Sequence, residues 1–261
     1  MKILICNDDG VHAPGILVLG KELRKIADVV IVAPLEEKST TGHSLTLHKP
    51  LRLTKIEDGR YGVNGSPADC VHLGVQVVLK KKPDIVISGI NRGANLGQDV
   101  YYSGTVSAAR EATMMGIPSL AVSLCVDFYN RKSEEDLNFK SAAVIAKDVI
   151  RSFLSGKRAL ALPRDTLFNL NVPDKPLSKI KGLSLAKQGY RHYSSSIIKR
   201  RDHRGKDYFW VGGGYLGFRK DPETDCSEVD RGYATLTPLR LDTTHDDYLE
   251  QLESMLLSKK D

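Results

Sequence analysis

Several things are scarce in this chain of 261 residues, and each scarcity removes a class of protein. No apolar run approaches the roughly 20 residues that a membrane helix needs, so a membrane-spanning role is not expected. The four cysteines (Cys6, Cys70, Cys125 and Cys226) stand far apart with no C-x-x-C pair, which argues against a disulfide or zinc framework. Cys6 sits inside an apolar strand pattern, where a small buried thiol is expected. There is no fixed-period repeat and no low-complexity linker. The first residues are already strand-like, without the charged and apolar regions of a signal peptide, and a cytoplasmic protein is the expectation. The net charge of +6 is only a modest lean towards anionic partners. A hydrophobic content of 41% and a charged content of 27% describe an ordinary globular chain.

What is present begins at Ile3-Leu4-Ile5-Cys6-Asn7-Asp8-Asp9-Gly10, an apolar strand ending in an amide, two carboxylates and a glycine. Asn, Asp and Gly also make plain turns, so this stretch alone leaves a turn and a ligand site equally open. Pro14 opens a helix carrying Ile16, Leu19, Leu23 and Ile26, and Asp28–Ala33 is a β-branched strand, which completes a βαβ unit. A polar loop, 35–44, follows. Leu45, Leu47, Leu51 and Leu53 then alternate around Lys49-Pro50 and predict a hairpin or extended arm. Ser66-Pro67-Ala68-Asp69 starts a helix running to about Lys80. Asp84–Ser88 and Pro118–Leu124 read as buried strands, with a helix from Ser103-Gly104-Thr105 to Gly116 between them.

Beyond about 166 the texture changes to short strands, a basic loop at 199–204, a last strand near 233–238 and a terminal helix over 245–257. The expected division is 1–165 as catalytic core and 166–261 as an extension that completes the sheet. The basic loop is expected to be a solvated hairpin tip, and Tyr190, Tyr193, Tyr208, Phe209 and Trp210 to be packing residues.

The polar clusters share a position. Asp8 and Asp9 follow the first strand, Ser39 the second, Asn91 the strand at 84–88, and Ser103-Gly104-Thr105 opens the next helix. In a parallel α/β sheet all of these emerge at one edge. Two carboxylates, a hydroxyl and a carboxamide suit a hard divalent cation, and a helix start beside them favours a phosphate. Taken singly, Ser39 and Asn91 read as turn residues, Asn95 as loop-shaping, Ser103 as a helix cap and His43 as a solvated histidine.

Assembled in order, ILICNDDG (3–10), STTGHS (39–44), GSPAD (65–69), SGINRG (88–93) and SGTVSA (103–108) resemble the SurE (survival protein E) family of metal-dependent nucleotide phosphatases. The match is dense over about the first 125 residues and thins to NLNVP (169–173) and GYATLTP (232–238) beyond. The resemblance implies a three-layer α/β/α Rossmann-like sheet with a hairpin-rich C-terminal extension used in dimer or tetramer assembly. It also implies one Mg²⁺ or Mn²⁺ per subunit on Asp8, Asp9, Ser39 and Asn91. The expected activity is hydrolysis of nucleoside 5′- and 3′-monophosphates, and of short polyphosphate, by a metal-activated water. Asp8 and Asp9 would carry the chemistry, and Asn7, Gly42, His43, Asn95, Ser103, Gly104 and Thr105 would contact phosphate or substrate. A receiver-like Mg²⁺-binding switch is the competing reading, although the strand at 84–88 offers no acceptor Asp. A dehydrogenase module would want G-x-G-x-x-G after the first strand, and no stable nucleic-acid partner is expected.

Overall fold

In the computed structural model, the described residues are 1–126, 133–154 and 162–257. The first half runs β1 (Lys2–Cys6), α1 (Pro14–Leu23), β2 (Asp28–Pro34), β3 (Leu53–Glu57), β4 (Arg60–Val63), α2 (Pro67–Leu73), β5 (Ile85–Arg92), α3 (Gly104–Met114), β6 (Ser119–Cys125) and α4 (Phe139–Leu154). The second half adds β7 (Thr166–Pro173), β8 (Leu183–Leu185), β9 (Arg191–Tyr193), β10 (Ser196–Arg201), β11 (Asp207–Gly212), β12 (Tyr215–Phe218), α5 (Asp225–Asp230), β13 (Ala234–Arg240) and α6 (Asp246–Leu257).

Nine strands form one sheet in the order β3-β4-β2-β1-β5-β6-β7-β13-β8. The run from β4 to β7 is parallel throughout; β3 joins β4, and β13 joins β7, antiparallel. The chain winds outward from β1 in both directions, so β1 and β5 flank the topological switch point. Parallel sheets of this kind open a crevice there, beyond the carboxyl ends of the strands.

The alternation within β1 explains the layers. Ile3 and Ile5 point into an apolar core with Ile16, Leu19 and Leu23 of α1 and Ala143, Ala146 and Ile150 of α4. Leu4 and Cys6 point the opposite way, into a second core with Cys70 and Val71 of α2 and Ala108 and Ala112 of α3. Both faces of β1 are therefore covered, which is why its sequence is an unbroken apolar run. Cys6 is a fully buried free thiol, as expected.

The Ser66 start is a full capping box: Asp69 N–H donates to Ser66 Oγ at 3.2 Å, and Ser66 N–H donates to Asp69 Oδ2 at 2.8 Å. This helix is α-helical only to Leu73 and continues as a π-turn over Gly74–Leu79. Gly74 lies so close to β1 that a Cβ there would fall 2.8 Å from Leu4 Cδ2. The alternating leucines from Leu45 do not make an arm of their own. Leu45 and Leu47 are exposed outside any strand, and only Leu53 enters one, β3, which turns back at Asp58-Gly59 into β4. Leu51 packs at the edge of the second core, but Leu45 and Leu47, without a partner strand, have nothing to cover them.

β7, β13 and β8 extend the sheet from the second half of the chain, while β9–β12 and β10–β11 form antiparallel pairs outside it. This arm is anchored near the crevice. Gln98 Nε2 donates to Arg191 O at 2.6 Å, and Arg191 N–H returns a bond to Gln98 Oε1 at 2.8 Å.

Candidate active site

The end of β1 is shaped by its own amide. Asn7, fully buried, donates from Nδ2 to Gly10 O at 2.9 Å and accepts from Gly10 N–H at 3.2 Å. The loop between them closes, and Gly10 takes the φ of +108° that this geometry requires. The two carboxylates are thereby turned into the crevice.

Asp8 is buried, and α3 grips it. Thr105 Oγ1 donates to Asp8 Oδ1, and the Thr105 N–H also reaches this carboxylate. Gly104 leaves room for it: a Cβ there would sit 2.7 Å from Asp8 Cβ and 2.8 Å from its Oδ2. Asp9 is more open and accepts from Arg92 N–H at 3.2 Å on Oδ2. Lys38 N–H donates to Asp8 O at 2.7 Å and brings in the loop after β2, where Ser39 Oγ donates to Glu37 Oε1 at 2.5 Å. Asn91, at the end of β5, donates from Nδ2 to Gly93 O at 2.9 Å. That bond turns its side-chain oxygen into the acceptor left for a ligand.

The electrostatics are one-sided. Burial pushes the Asp8 carboxyl above its ordinary range. Asp9 is pushed up to about 7, first by burial and then by the neighbouring Asp8 charge, with smaller contributions from Glu37 and Glu134. Among the described residues no lysine, arginine or histidine forms an ion pair with Asp8 or Asp9. Buried carboxylates without a countercharge are costly and mark a place for a cation. The described residues gather no group of three or more His, Cys, Asp and Glu side chains for a metal. The donors are instead two carboxylates, a hydroxyl and an amide oxygen, a hard set that suits a small divalent ion keeping several waters.

These groups open on a cleft of about 1280 Å³. Asp8, Asp9, Ser39, Asn91, Asn95 and Ser103 line it. Asn7 lies beneath the cleft, and Gly104 and Thr105 lie behind Asp8. Gly42 and His43 stand outside the lining: Gly42 N–H donates to Tyr102 O at 3.3 Å, and His43 Nε2 is 2.6 Å from Glu111 Oε2. Asn95 is locked by its surroundings. Its N–H donates to Asn171 Oδ1 at 2.9 Å, its Nδ2 to Ser123 Oγ at 2.8 Å, and its carbonyl accepts from Asn169 and Asn171. Ser103 caps α3 by accepting from Val106 N–H at 3.0 Å. The first amides of α3 are thus largely used on Asp8 and Ser103 rather than facing the cleft.

Sequence reasoning passed over Glu37, Tyr102 and the backing asparagines Asn169 and Asn171. The last two had a visible signal, since they occupy alternate positions of a buried strand and so share one face. It also misjudged the aromatic residues of the arm. Tyr208, Phe209 and Trp210 are 40%, 59% and 63% exposed rather than packed, because β10 and β11 pair only with each other and have no layer over them. Tyr190 and Tyr193 form part of the cleft wall. Tyr193 is held there by its hydroxyl, which donates to Asp99 Oδ2 at 2.5 Å, and by Arg191, stacked over both Tyr193 and Tyr215. The basic run at the β10–β11 tip is solvent-exposed, as expected.

A mostly parallel α/β sheet whose switch point carries an uncompensated carboxylate pair, beside a large cleft, fits the class of cation-assisted enzymes that act on phosphate esters. The chain belongs to the SurE family: residues 3–195 match the family described as Survival protein SurE. It is 48% identical over 258 residues to the 5′-nucleotidase SurE of Geobacter sulfurreducens, covering 99% of this chain and 95% of that one. It is 49% identical over 245 residues to the 5′-nucleotidase SurE of Geobacter metallireducens, covering 94% and 93% respectively. The crystal structure of the SurE protein from Aquifex aeolicus superposes with a TM-score of 0.84 at 39% identity, covering 98% of this chain and 99% of that one. The receiver-like switch has no support in these relationships and is set aside.

Proposed function

We propose that this chain is a metal-dependent nucleotidase that removes phosphate from nucleoside 5′-monophosphates, with 3′-monophosphates and short polyphosphate as further substrates. The observation that carries the reading is the Asp8–Asp9 pair, Asp8 buried and Asp9 half-buried, without a cationic partner among the described residues, at the switch point of the sheet. Relatives named 5′-nucleotidase SurE, similar over nearly the whole chain, support the choice of substrate.

One divalent cation per subunit, Mg²⁺ or Mn²⁺, would be held by Asp8, Asp9, Ser39 and Asn91. When bound, it supplies positive charge to the phosphoryl oxygens and makes water acidic enough to attack phosphorus at neutral pH. The chain's own groups do the rest. Thr105 and the gap at Gly104 fix the orientation of Asp8. Asp9 receives Arg92 N–H on Oδ2, so its Oδ1 is the atom placed to orient the attacking water and take its proton. Ser103 Oγ accepts from Val106 N–H and keeps its own proton for a phosphate oxygen. Asn7, Asn95 and Gly42 shape the loops around these groups.

A cleft of about 1280 Å³ exceeds the needs of phosphate alone and leaves room for a nucleoside. Tyr102, Tyr190 and Tyr193 give the base an aromatic wall. Residues 1–165 act as the catalytic core and 166–261 as the extension that adds Tyr190 and Tyr193 to this wall. The exposed faces of β10 and β11, with Ile197, Phe209, Trp210 and Val211, are the surface for a homodimer or homotetramer. The described residues contain no helix long and apolar enough to cross a membrane, and we place the enzyme in the cytoplasm.

The test is phosphate release from nucleoside 5′- and 3′-monophosphates, with and without Mn²⁺ or Mg²⁺, for wild type and Asp9→Asn. Metal-dependent release that the substitution abolishes is the expected result. No release from any nucleotide would refute the reading, and a trapped phosphoaspartate would replace water attack by a covalent route.

A further inference from the structure

Beyond Leu35, whose side chain lies over Gly62, the loop that brings Ser39 to the cleft has no apolar anchor. From Leu35 to Pro50 not one residue is buried, and Leu45 and Leu47 are 43% and 88% exposed. Past Leu35 it is held by polar ties. Five ties use loop backbone: Leu35 N–H to Val63 O, Lys38 N–H to Asp8 O, Gly42 N–H to Tyr102 O, Thr46 N–H to Asp69 Oδ1, and Ser44 O from Ser66 Oγ. Two loop side chains also reach side chains of the body: Thr46, which bonds Asp69 of α2, and, nearer to Ser39, His43, whose Nε2 is 2.6 Å from Glu111 Oε2.

Glu111 is well placed to be the fixed end. It is buried on α3, less than two turns beyond Thr105, which holds Asp8. Its second oxygen, Oε1, is 2.7 Å from His72 Nε2 of α2. Both histidines hold the carboxylate in its charged form and pull its pKa below the ordinary range. An ionised carboxylate only accepts, so each Nε2 carries its proton and donates. One helix therefore grips Asp8 at its first turn and the Ser39 loop further along.

We propose that Glu111 is a positioning residue for the cation site: through His43 it sets the Ser39–Thr40 rim of the cleft against Asp8 and Asp9, while His72 steadies its other oxygen. The inference rests on the reading of Ser39 as a cation ligand. Supporting groups behind a metal site commonly contribute about 10- to 100-fold to affinity, and the lower figure suits a tie that acts through a loop.

The experiment measures Mn²⁺ affinity of the full chain by electron paramagnetic resonance of free Mn²⁺, so it does not depend on turnover. His43→Ala and Glu111→Ala should each raise the Kd about tenfold, and the double variant should be no worse than the weaker single one. Glu111→Gln, whose side-chain oxygen can still accept from His43, should recover most of the affinity. His72→Ala should cost less than His43→Ala. If Glu111→Ala does not fold, His43→Ala on the surface loop carries the same test. Wild-type affinity in His43→Ala, losses that multiply in the double variant, or a larger loss in His72→Ala would each overturn the proposal. Wild type that binds no Mn²⁺ would overturn the cation reading along with it, which separates the two failures.

Discussion

Replacing Asp9 by Asn should make the metal-free protein more stable, although it removes a proposed ligand. The folded chain holds the Asp9 proton up to about pH 7, against an ordinary value of 3.8, because the carboxyl is buried beside Asp8. Between those values the folded state binds more protons than the unfolded one, so its stability falls as pH rises. The penalty is absent below about pH 4 and complete above about pH 7. A shift of about three units corresponds to about 4 kcal/mol, which the partial exposure of Asp9 reduces to about 2 kcal/mol. In a chain of this size that is a Tm change of about 5 °C. Asp9→Asn deletes the charge, so in EDTA at pH 8 it should melt about 5 °C above wild type, with the gap shrinking to about a third at pH 5. Added Mn²⁺ should reverse the order. At about 100 times its Kd, the ion stabilises wild type by about 2.7 kcal/mol and the variant by much less. Circular dichroism melts at two pH values, with and without Mn²⁺, make the comparison. A variant that melts below wild type in EDTA at pH 8, or a gap indifferent to pH, would refute the claim that Asp9 is a strained, cation-seeking carboxylate.

Other substitutions test the neighbours of this pair. Gly104→Ala places a Cβ within 2.8 Å of Asp8 Oδ2 and should cost at least about tenfold in kcat while the fold survives, as judged by far-ultraviolet circular dichroism. Thr105→Val removes the hydroxyl that donates to Asp8 and should lower kcat/KM by about tenfold or more, with Thr105→Ser retaining most of it. Tyr190→Ala should lower the ratio of kcat/KM for a nucleoside monophosphate over glycerol 2-phosphate by about tenfold, because a stacked base loses its platform. Trp210→Glu, on the exposed face of β11, should reduce the mass seen by light scattering if this surface joins subunits.

The layout of the N-terminal half was legible in the chain because its signals are local. β1 is buried on both faces and so must be apolar throughout. Ser66-Pro67 and Ser103 cap helices through bonds to residues three positions away. The doublet Asp8-Asp9 stands one residue past the end of a strand, and in a parallel sheet that alone sends it to the ligand-bearing edge. The order of the motifs then identified the family.

Tertiary structure decided whatever depends on partners distant in sequence. The residue that meets Asp8 is Thr105, across 97 positions, and the one that meets His43 is Glu111, across 68. Neither pairing leaves a periodic trace. Leu45 and Leu47 alternate like a strand yet find no neighbour to pair with. The arm's aromatic residues carry the composition of a core, but Tyr190 and Tyr193 line the cleft, while Tyr208, Phe209 and Trp210 face solvent because β10 and β11 stand away from the sheet. Hydrophobicity specifies a wish to be covered, and only the packed fold determines what covers it.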